Sequence, residues 1–176
     1  TLVIKLINLF ILFYYKMKNI EYPFIRIGLC CQNITLRYSK PSIFASKSVK
    51  LKTIMDKGLV AAKEVALDNL DNLKKMIKWN YEHGILVFRI GSDLFPHASN
   101  STLIDLFAQD GIEYMKLNFA KDKLQEVGTL AKKYGMRLTM HPGQYVQIAS
   151  PTDRVYQNSL LELKYHARIL NKMGLP

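Results

Sequence analysis

Short apolar runs alternate with long amphipathic stretches along most of the chain. The runs have the length of buried strands and are Phe24–Cys30, Ile85–Ile90 and Arg137–Met140. The amphipathic stretches have apolar residues at helical spacing and cover Leu59–His83, Glu113–Tyr134 and the segment from Ser150 to Gly174. This alternation predicts consecutive βα units.

Glycines mark the predicted helix ends. Gly84 and Gly135 each stand between an amphipathic stretch and the next apolar run, where a left-handed residue commonly caps a helix. The third helix is predicted to begin with Ser150 as its cap and Pro151 at its first position. The order of elements predicts an α/β protein with a parallel sheet, and such folds bind ligands at the carboxyl ends of their strands.

Length and composition limit the class of protein. The chain has 176 residues, fewer than the roughly 250 of a typical closed (β/α)₈ barrel. Its apolar fraction of 49% excludes a disordered chain, and its two cysteines exclude a disulfide scaffold. Cys30 and Cys31 are adjacent and would bridge each other only with strain, which indicates a reducing intracellular compartment and leaves nucleus and cytoplasm open.

The first residues have a different character. Residues 1–16 are almost wholly apolar, but they are fewer than the about 20 residues that a membrane-spanning helix needs. The strand pattern begins only after Met17, so we expect 1–16 to be an extension outside the domain and 17–176 to form the domain. A membrane span is not expected.

Positive charge is concentrated in one segment. The net charge is +11. The residues from Arg37 to Lys57, called here the basic segment, follow the first strand. They hold Arg37, Lys40, Lys47, Lys50, Lys52 and Lys57 against Asp56 alone, a local charge of +5. Such a segment suits a polyanion such as nucleic acid, although a solvated or flexible loop has the same composition.

The loops after the second and third strands carry candidate chemistry. His97 follows Pro96 and is a candidate ligand, acid/base or phosphate contact, with a solvated side chain as the alternative. His141 directly follows the run Arg137–Met140, at the strand end, where an imidazole can join carboxylates around a divalent ion. Pro142 and Gly143 then turn the chain and expose Gln144 and Tyr145, side chains that can wedge into a duplex or stack on a base. The alternative is a packed His141 and a Tyr145 that lies on the protein's own surface, and the spacing alone narrowly favours it.

The remaining histidines and both cysteines are expected to be structural. His83 lies in the last turn of a helix, where a cation suits the helix dipole. His166 lies in the middle of a helix and is assigned to the outer layer. Cys30 and Cys31 are assigned to the core at a strand end.

Four motifs in order resemble one known family. They are IRIGLCCQNITL at 25–36, the stretch from Asn80 to Pro96 with HGI, FRI and SDLFP, MHPGQY at 140–145, and ELKYH at 162–166 with Met173-Gly174-Leu175. Together they resemble the UV damage endonuclease family over residues 24–176, which correspond to the N-terminal half of its barrel.

The resemblance implies a TIM-type (β/α)₈ barrel, of which this chain holds about the first three βα units. It implies an enzyme that uses divalent metal ions, usually several manganese ions, to hydrolyse damaged double-stranded DNA immediately 5′ to pyrimidine dimers and so initiates excision repair. The remaining ligands of the family, Glu, Asp and His residues on later strands, are expected beyond Pro176. An obligate protein partner is not evident.

The resemblance also implies residue roles. His141 is similar to a metal ligand, Gln144 and Tyr145 to a pair that probes the duplex opposite the damage, and Asn33 to a residue facing the lesion pocket. His97 matches a site-lining histidine of part of the family and is our catalytic candidate. For contacts to the DNA backbone we name Arg37, Lys40 and Lys47. At position 29 many members have Tyr where this chain has Leu, so the resemblance implies that an aromatic contact with the lesion is lost there or reduced to an apolar one.

Two alternatives stay open. One is another metal-dependent barrel of the same superfamily, an apurinic-site endonuclease or a sugar isomerase, of which the basic segment and the Gln-Tyr pair disfavour the isomerase. The other is a truncated, non-catalytic DNA-binding fragment, because the chain itself holds one convincing metal ligand.

Overall fold

A computed structural model describes residues 26–175, so the predicted extension 1–16 and the first residues of the first predicted strand lie outside the described residues. The elements are β1 Gly28–Cys30, α1 Ile34–Arg37, α2 Leu51–Lys57, α3 Val60–Glu82, β2 Val87–Gly91, α4 Thr102–Lys116, α5 Lys121–Lys133, β3 Arg137–His141 and α6 Asp153–Lys172, with 3₁₀ turns at Ser92–Leu94 and Asn118–Ala120. The three predicted strands and the predicted α/β class are confirmed.

The strands form a parallel sheet in the order β1-β2-β3. Phe88 and Ile90 of β2 are buried on one face, which the helices cover, whereas Arg89 between them is exposed on the other. β3 repeats this alternation, with Leu138 and Met140 buried. In the part of the chain that the structure describes, one face of the sheet therefore belongs to the core and the other carries polar side chains.

Helix α3 forms the centre of the core. Its predicted extent, Leu59–His83, agrees with the observed Val60–Glu82 to within one residue at each end. Leu70, Leu73, Met76 and Ile77 are fully buried. The helix ends before Gly84, whose φ of 74° is the left-handed conformation expected there, and Gly135 after α5 has a φ of 58°. None of the helices within residues 26–175 is both long and apolar enough to cross a bilayer.

The prediction of one helix over Glu113–Tyr134 is wrong. The chain breaks at Leu117, which has a φ of 58°, and passes through a 3₁₀ turn before α5 begins at Lys121. The break buries Leu117 completely and stacks the rings of Tyr114 and Phe119 with centroids 5.5 Å apart. Tertiary packing thus outweighs the helical periodicity of the local sequence.

The predicted start of the last helix is also wrong by a few residues. Helix α6 begins at Asp153 with Thr152 in the cap position, so Pro151 lies outside the helix. Ser150 instead accepts a hydrogen bond at its Oγ from the Thr152 amide, 3.2 Å away, and stabilises the turn that leads into the helix.

Candidate functional site

The carboxyl ends of the three strands bring together the segments that carry the candidate chemistry. β1 ends at Cys30, β2 at Gly91 and β3 at His141, and Gly91 is paired with His141 in the sheet register. In parallel sheets this edge is where ligands bind. The loop after β2 and the turn after β3 begin at this edge, and so does the connection that leads from β1 through α1 to the basic segment.

Two cysteines and one histidine meet at this edge. The sulfur atoms of Cys30 and Cys31 are 3.6 Å apart, and both lie within 4.8 Å of a ring nitrogen of His141. Cys30 is exposed and Cys31 half-buried, so the assignment of both cysteines to the core is wrong. Burial, together with the hydrogen bond and charge of Cys30, raises the pKa of the Cys31 thiol to about 11.

A polar cluster lies beneath the turn after β3. The Ser92 hydroxyl is 2.6 Å from the His141 carbonyl oxygen, 2.9 Å from Oε1 of Glu162 and 3.0 Å from Nε2 of His166. His166 is 4% exposed and faces this cluster from α6, so its assignment to the outer layer is wrong. Burial lowers the pKa of His166, while the charge of Glu162 opposes that shift.

The hydrogen-bond chemistry of this cluster is consistent with a neutral His166. The Ser92 hydroxyl has one proton, which it donates either to the His141 carbonyl or to Glu162. It can therefore accept a hydrogen bond from His166 Nε2, which fixes the tautomer with hydrogen on that nitrogen. Nδ1 of His166 is buried without a hydrogen-bond partner. Burial without a partner costs less for a neutral acceptor nitrogen than for a charged N–H donor.

Glu162 also holds the turn itself. Its Oε1 accepts a hydrogen bond from the Gly143 amide at 2.7 Å. The turn continues with a bond from the Val146 amide to the Gly143 carbonyl at 3.0 Å and one from the Gln147 amide to the Ser159 hydroxyl at 2.8 Å. Helix α6 therefore fixes residues 141–147 through two side chains.

Removing the Glu162 carboxylate is expected to loosen this turn. Glu162→Ala leaves the half-buried Gly143 amide without its acceptor, which should lower the free energy of unfolding by about 1–3 kcal/mol. Glu162→Gln keeps an acceptor oxygen and should cost less. Urea unfolding and amide hydrogen exchange at Gly143 measure both effects, with the exposed Glu64→Ala as the control. Unchanged exchange at Gly143 in Glu162→Ala would contradict the anchoring role.

Gln144 and Tyr145 extend from the anchored turn into solvent. Tyr145 is 80% exposed, and Gln144 is exposed as well. Their exposure agrees with the expectation from the Pro-Gly turn. A large aromatic ring that is held on a fixed turn and left uncovered is available to contact a partner.

Buried polar side chains position the loop after β2. The Tyr165 hydroxyl donates to the Ser92 carbonyl at 2.9 Å and accepts from the Phe95 amide at 3.1 Å. The Tyr114 hydroxyl donates to the Pro96 carbonyl at 2.8 Å. Burial raises the pKa of both tyrosines, so they stay protonated donors.

His97 connects this loop to the basic segment. Its Nε2 is 2.8 Å from the Val49 carbonyl oxygen, to which it must donate. Buried Asn69 of α3 makes the same connection, because its amide nitrogen donates to the carbonyls of Lys47 and Leu94 at 2.9 and 3.1 Å. The basic segment is thus tied to the scaffold near its middle. The catalytic role of His97 stays a prediction.

The cations of the basic segment are not equivalent. Lys47 forms an ion pair with Asp68 and lies over the Phe44 ring. Arg37 donates to Gln32 and lies over the same ring from 5.2 Å. Lys40 is exposed. Lys40 thus extends freely into solvent, whereas Arg37 and Lys47 already have partners, and contact with DNA stays a prediction for all three.

Asn33 is buried at 4% exposure and caps α1. Its Oδ1 accepts from the Leu36 amide at 3.0 Å, and its Nδ2 donates to Asn80 at 3.3 Å. Both ends of the side chain therefore have protein partners. The predicted contact with a lesion is not tested by this arrangement and stays a prediction.

The sequence analysis did not identify the residues that position the site, among them Asn69, Glu162, Tyr165 and His166. A signal existed for two of them, because Glu162 and His166 are four residues apart and share one face of a helix. Asn69 stands next to Leu70 within the apolar pattern of α3, where a buried amide requires partners.

A family model and several known proteins are similar to this chain. The family model described as UV-endonuclease UvdE matches residues 25–176. The chain is 43% identical over 150 residues to the UV-damage endonuclease of Schizosaccharomyces pombe, covering 85% of this chain and 23% of the relative. It is 34% identical to the UV DNA damage endonuclease of Clostridium perfringens over 149 residues, covering 84% of this chain and 32% of that protein.

A solved structure is similar as well. The crystal structure of SacUVDE superimposes with a TM-score of 0.71 at 33% identity, over 86% of this chain and 46% of that one. This chain spans less than half the length of each of these three proteins. The matched region contains every strand and helix described above, and the chain therefore belongs to the UV-endonuclease UvdE family.

Proposed function

We propose that the complete protein is a DNA repair endonuclease that recognises UV photoproducts. It hydrolyses the phosphodiester bond immediately 5′ to a pyrimidine dimer with divalent metal ions and so initiates excision repair. The observation that carries this proposal is the anchored turn at 141–147, which presents Tyr145 at 80% exposure on the same sheet edge as the basic segment. Membership of the family supports it.

Recognition of the lesion falls to Gln144 and Tyr145. A dimer distorts the duplex and stacks poorly, so extruding it costs less than extruding a normal pair. An exposed ring on a fixed turn can enter the gap that the extruded bases leave, and the Gln144 amide can pair with a base edge. The selectivity for damage then comes from the lower cost of opening the duplex.

Affinity for the phosphate backbone comes from the basic segment. Lys40, Lys50 and Lys52 of the basic segment are exposed, the first two on the loop and Lys52 in α2. Contacts of this kind carry no sequence information and weaken as salt rises. Arg37 and Lys47 would have to exchange their partners Gln32 and Asp68 for phosphate, so we expect them to contribute less.

His141 is the proposed ligand of a divalent ion. Manganese, the ion implied by the resemblance, prefers oxygen donors such as carboxylates and water. Within residues 26–175, the three-donor cluster that includes His141 contains two thiols, which do not suit manganese, so this cluster alone does not fit that ion. His97 could act as acid or base only after giving up its hydrogen bond to Val49.

We also propose that the three βα units are the first part of a (β/α)₈ barrel domain that begins near Met17. One face of the sheet carries exposed Arg89 and half-buried Thr139, whereas parallel sheets are normally covered on both faces. Further strands would enclose this face. The free thiols of Cys30 and Cys31 suit a reducing compartment.

Nicking of supercoiled plasmid tests the proposed function. The complete protein in Mn²⁺ should nick UV-irradiated plasmid about 10–100-fold faster than unirradiated plasmid, because opening a damaged site saves a few kcal/mol. EDTA should stop the reaction. Equal nicking of both plasmids would contradict damage recognition, and no nicking by the complete protein would contradict an endonuclease. Residues 17–176 assayed alone would show whether this portion suffices.

A further inference from the structure

A groove lined by cations runs along an exposed face of α6 and is called here the flank groove. It encloses about 570 Å³ and is bordered by the end of α4, the 3₁₀ turn Asn118–Ala120 and one stripe of α6. Its charged lining residues are Lys116, Lys164, Arg168 and Lys172. Within residues 26–175 no carboxylate lines the groove, so its surface is positive.

Three of these cations form a row on α6. Lys164, Arg168 and Lys172 are spaced four residues apart, so they share one face of the helix and follow one another in steps of about 6 Å. None of the three has an Asp or Glu three or four residues away that would compensate its charge. Like charges at this spacing destabilise a helix, and an anionic ligand would remove that repulsion.

Two cations of the row are held in place by neutral oxygen atoms. The Arg168 guanidinium donates to the Met115 carbonyl at the end of α4, and the Lys172 ammonium donates to Oδ1 of Asn118 at 2.8 Å. Neutral acceptors orient the two side chains without cancelling their charge. Both side chains keep further N–H donors, because a guanidinium has five and an ammonium has three.

The two remaining cations of the flank groove are exposed. Lys164 forms no ion pair in the described part of the chain, whereas Lys116 is paired with Glu113 at 2.7 Å. The flank groove therefore holds three positive charges without a counterion, and two of them are fixed in position.

The flank groove is remote from the turn at 141–147. Helix α6 begins at Asp153, and the row from Lys164 to Lys172 lies about 16–28 Å further along the helix axis. The row itself is about 12 Å long, a length over which one DNA strand presents about three or four phosphates. Its charge spacing therefore suits a nucleic acid backbone, although it lies away from the exposed Tyr145 ring.

We propose that the flank groove is a second surface for the DNA phosphate backbone, which holds intact duplex away from the lesion-reading turn. The inference rests on the proposed function, which supplies DNA as the polyanion. An enzyme that searches for rare damage meets mostly intact DNA, and backbone contacts let it slide and hop along that DNA. A surface remote from Tyr145 makes such contacts without inserting a ring into the duplex, and it reads no sequence.

The Lys164→Gln, Lys172→Gln double variant of the complete protein tests the flank groove. The measurement is the affinity for an undamaged duplex over a series of salt concentrations. Each lost phosphate contact lowers the slope of log K against log salt by about 1, so we expect the slope to fall by about 2. The control is Lys75→Gln, Lys78→Gln, which removes the same charge from exposed positions of α3 and should keep the native slope.

A native slope in the Lys164→Gln, Lys172→Gln variant would overturn the inference. Weaker binding of polyglutamate by that variant, together with a native DNA slope, would assign the flank groove to an acidic protein instead. An equal fall in slope in the α3 control would show that net charge alone is responsible, and it would also overturn the inference. The measurement does not depend on nicking, so a native protein that binds intact duplex but nicks no plasmid would contradict the proposed endonuclease alone.

Discussion

Gly128→Ala is expected to destabilise the protein strongly. A Cβ on Gly128 of α5 would lie 1.8 Å from the carbonyl oxygen of Met173 at the end of α6, and 2.7 Å from its carbonyl carbon. Real side chains never approach a backbone that closely, and neither partner is the flexible end of a side chain. The two helices must separate, and we expect a loss of about 3 kcal/mol or more in the free energy of unfolding.

The sign of this effect is informative. In an isolated helix alanine is more favourable than glycine by about 1 kcal/mol, so helix propensity alone predicts that Gly128→Ala stabilises the protein. The exposed neighbour Thr129→Ala is the control and should change stability by less than about 0.5 kcal/mol. Urea unfolding of the native protein, Gly128→Ala and Thr129→Ala measures the sign and size of both effects. A more stable Gly128→Ala protein would contradict the close contact of α5 and α6.

The strands and the longest helix could be predicted because local pattern and burial agree there. Phe88 and Ile90 are apolar in the sequence and buried in the sheet, and α3 keeps a regular apolar face from Leu70 to Ile77. The break at Leu117 could not be predicted, because a leucine gives no local signal for a left-handed residue. The break is stabilised by tertiary packing, which buries Leu117 and stacks the Tyr114 ring on the Phe119 ring. Tertiary contacts decided that region.

At the candidate site, the sequence predicted that the chemistry lies at the carboxyl ends of the strands. It did not predict the side chains that hold the loops there. His141, Gln144 and Tyr145 were identifiable because they follow a strand directly. The convergence of Cys30 and Cys31 on His141 depends on the positive φ of Cys31, and the turn depends on Glu162, which comes from another element 19 residues later. Neither the backbone conformation of Cys31 nor the contact from Glu162 can be predicted from the residues at a strand end.

Tyr145→Ala is expected to reduce discrimination between damaged and intact duplex by about 10–100-fold, the value of one base–aromatic stacking contact of 1–3 kcal/mol. The ring is 80% exposed, so its removal should change the stability of the protein by less than about 0.5 kcal/mol. The measurement is the ratio of affinities for duplexes with and without a pyrimidine dimer, by fluorescence anisotropy at one fixed salt concentration.

Tyr38→Ala is a closely matched control. Tyr38 is 79% exposed and belongs to the basic segment, so it is as accessible as Tyr145 and lies on a loop that leaves the same sheet edge. We expect Tyr38→Ala to keep the affinity ratio, because its ring is not held on the turn that Glu162 anchors. An equal loss in both variants would show that any exposed ring at this edge suffices. An unchanged affinity ratio in Tyr145→Ala would contradict the proposed insertion of the Tyr145 ring into the duplex and would assign damage selectivity to other residues.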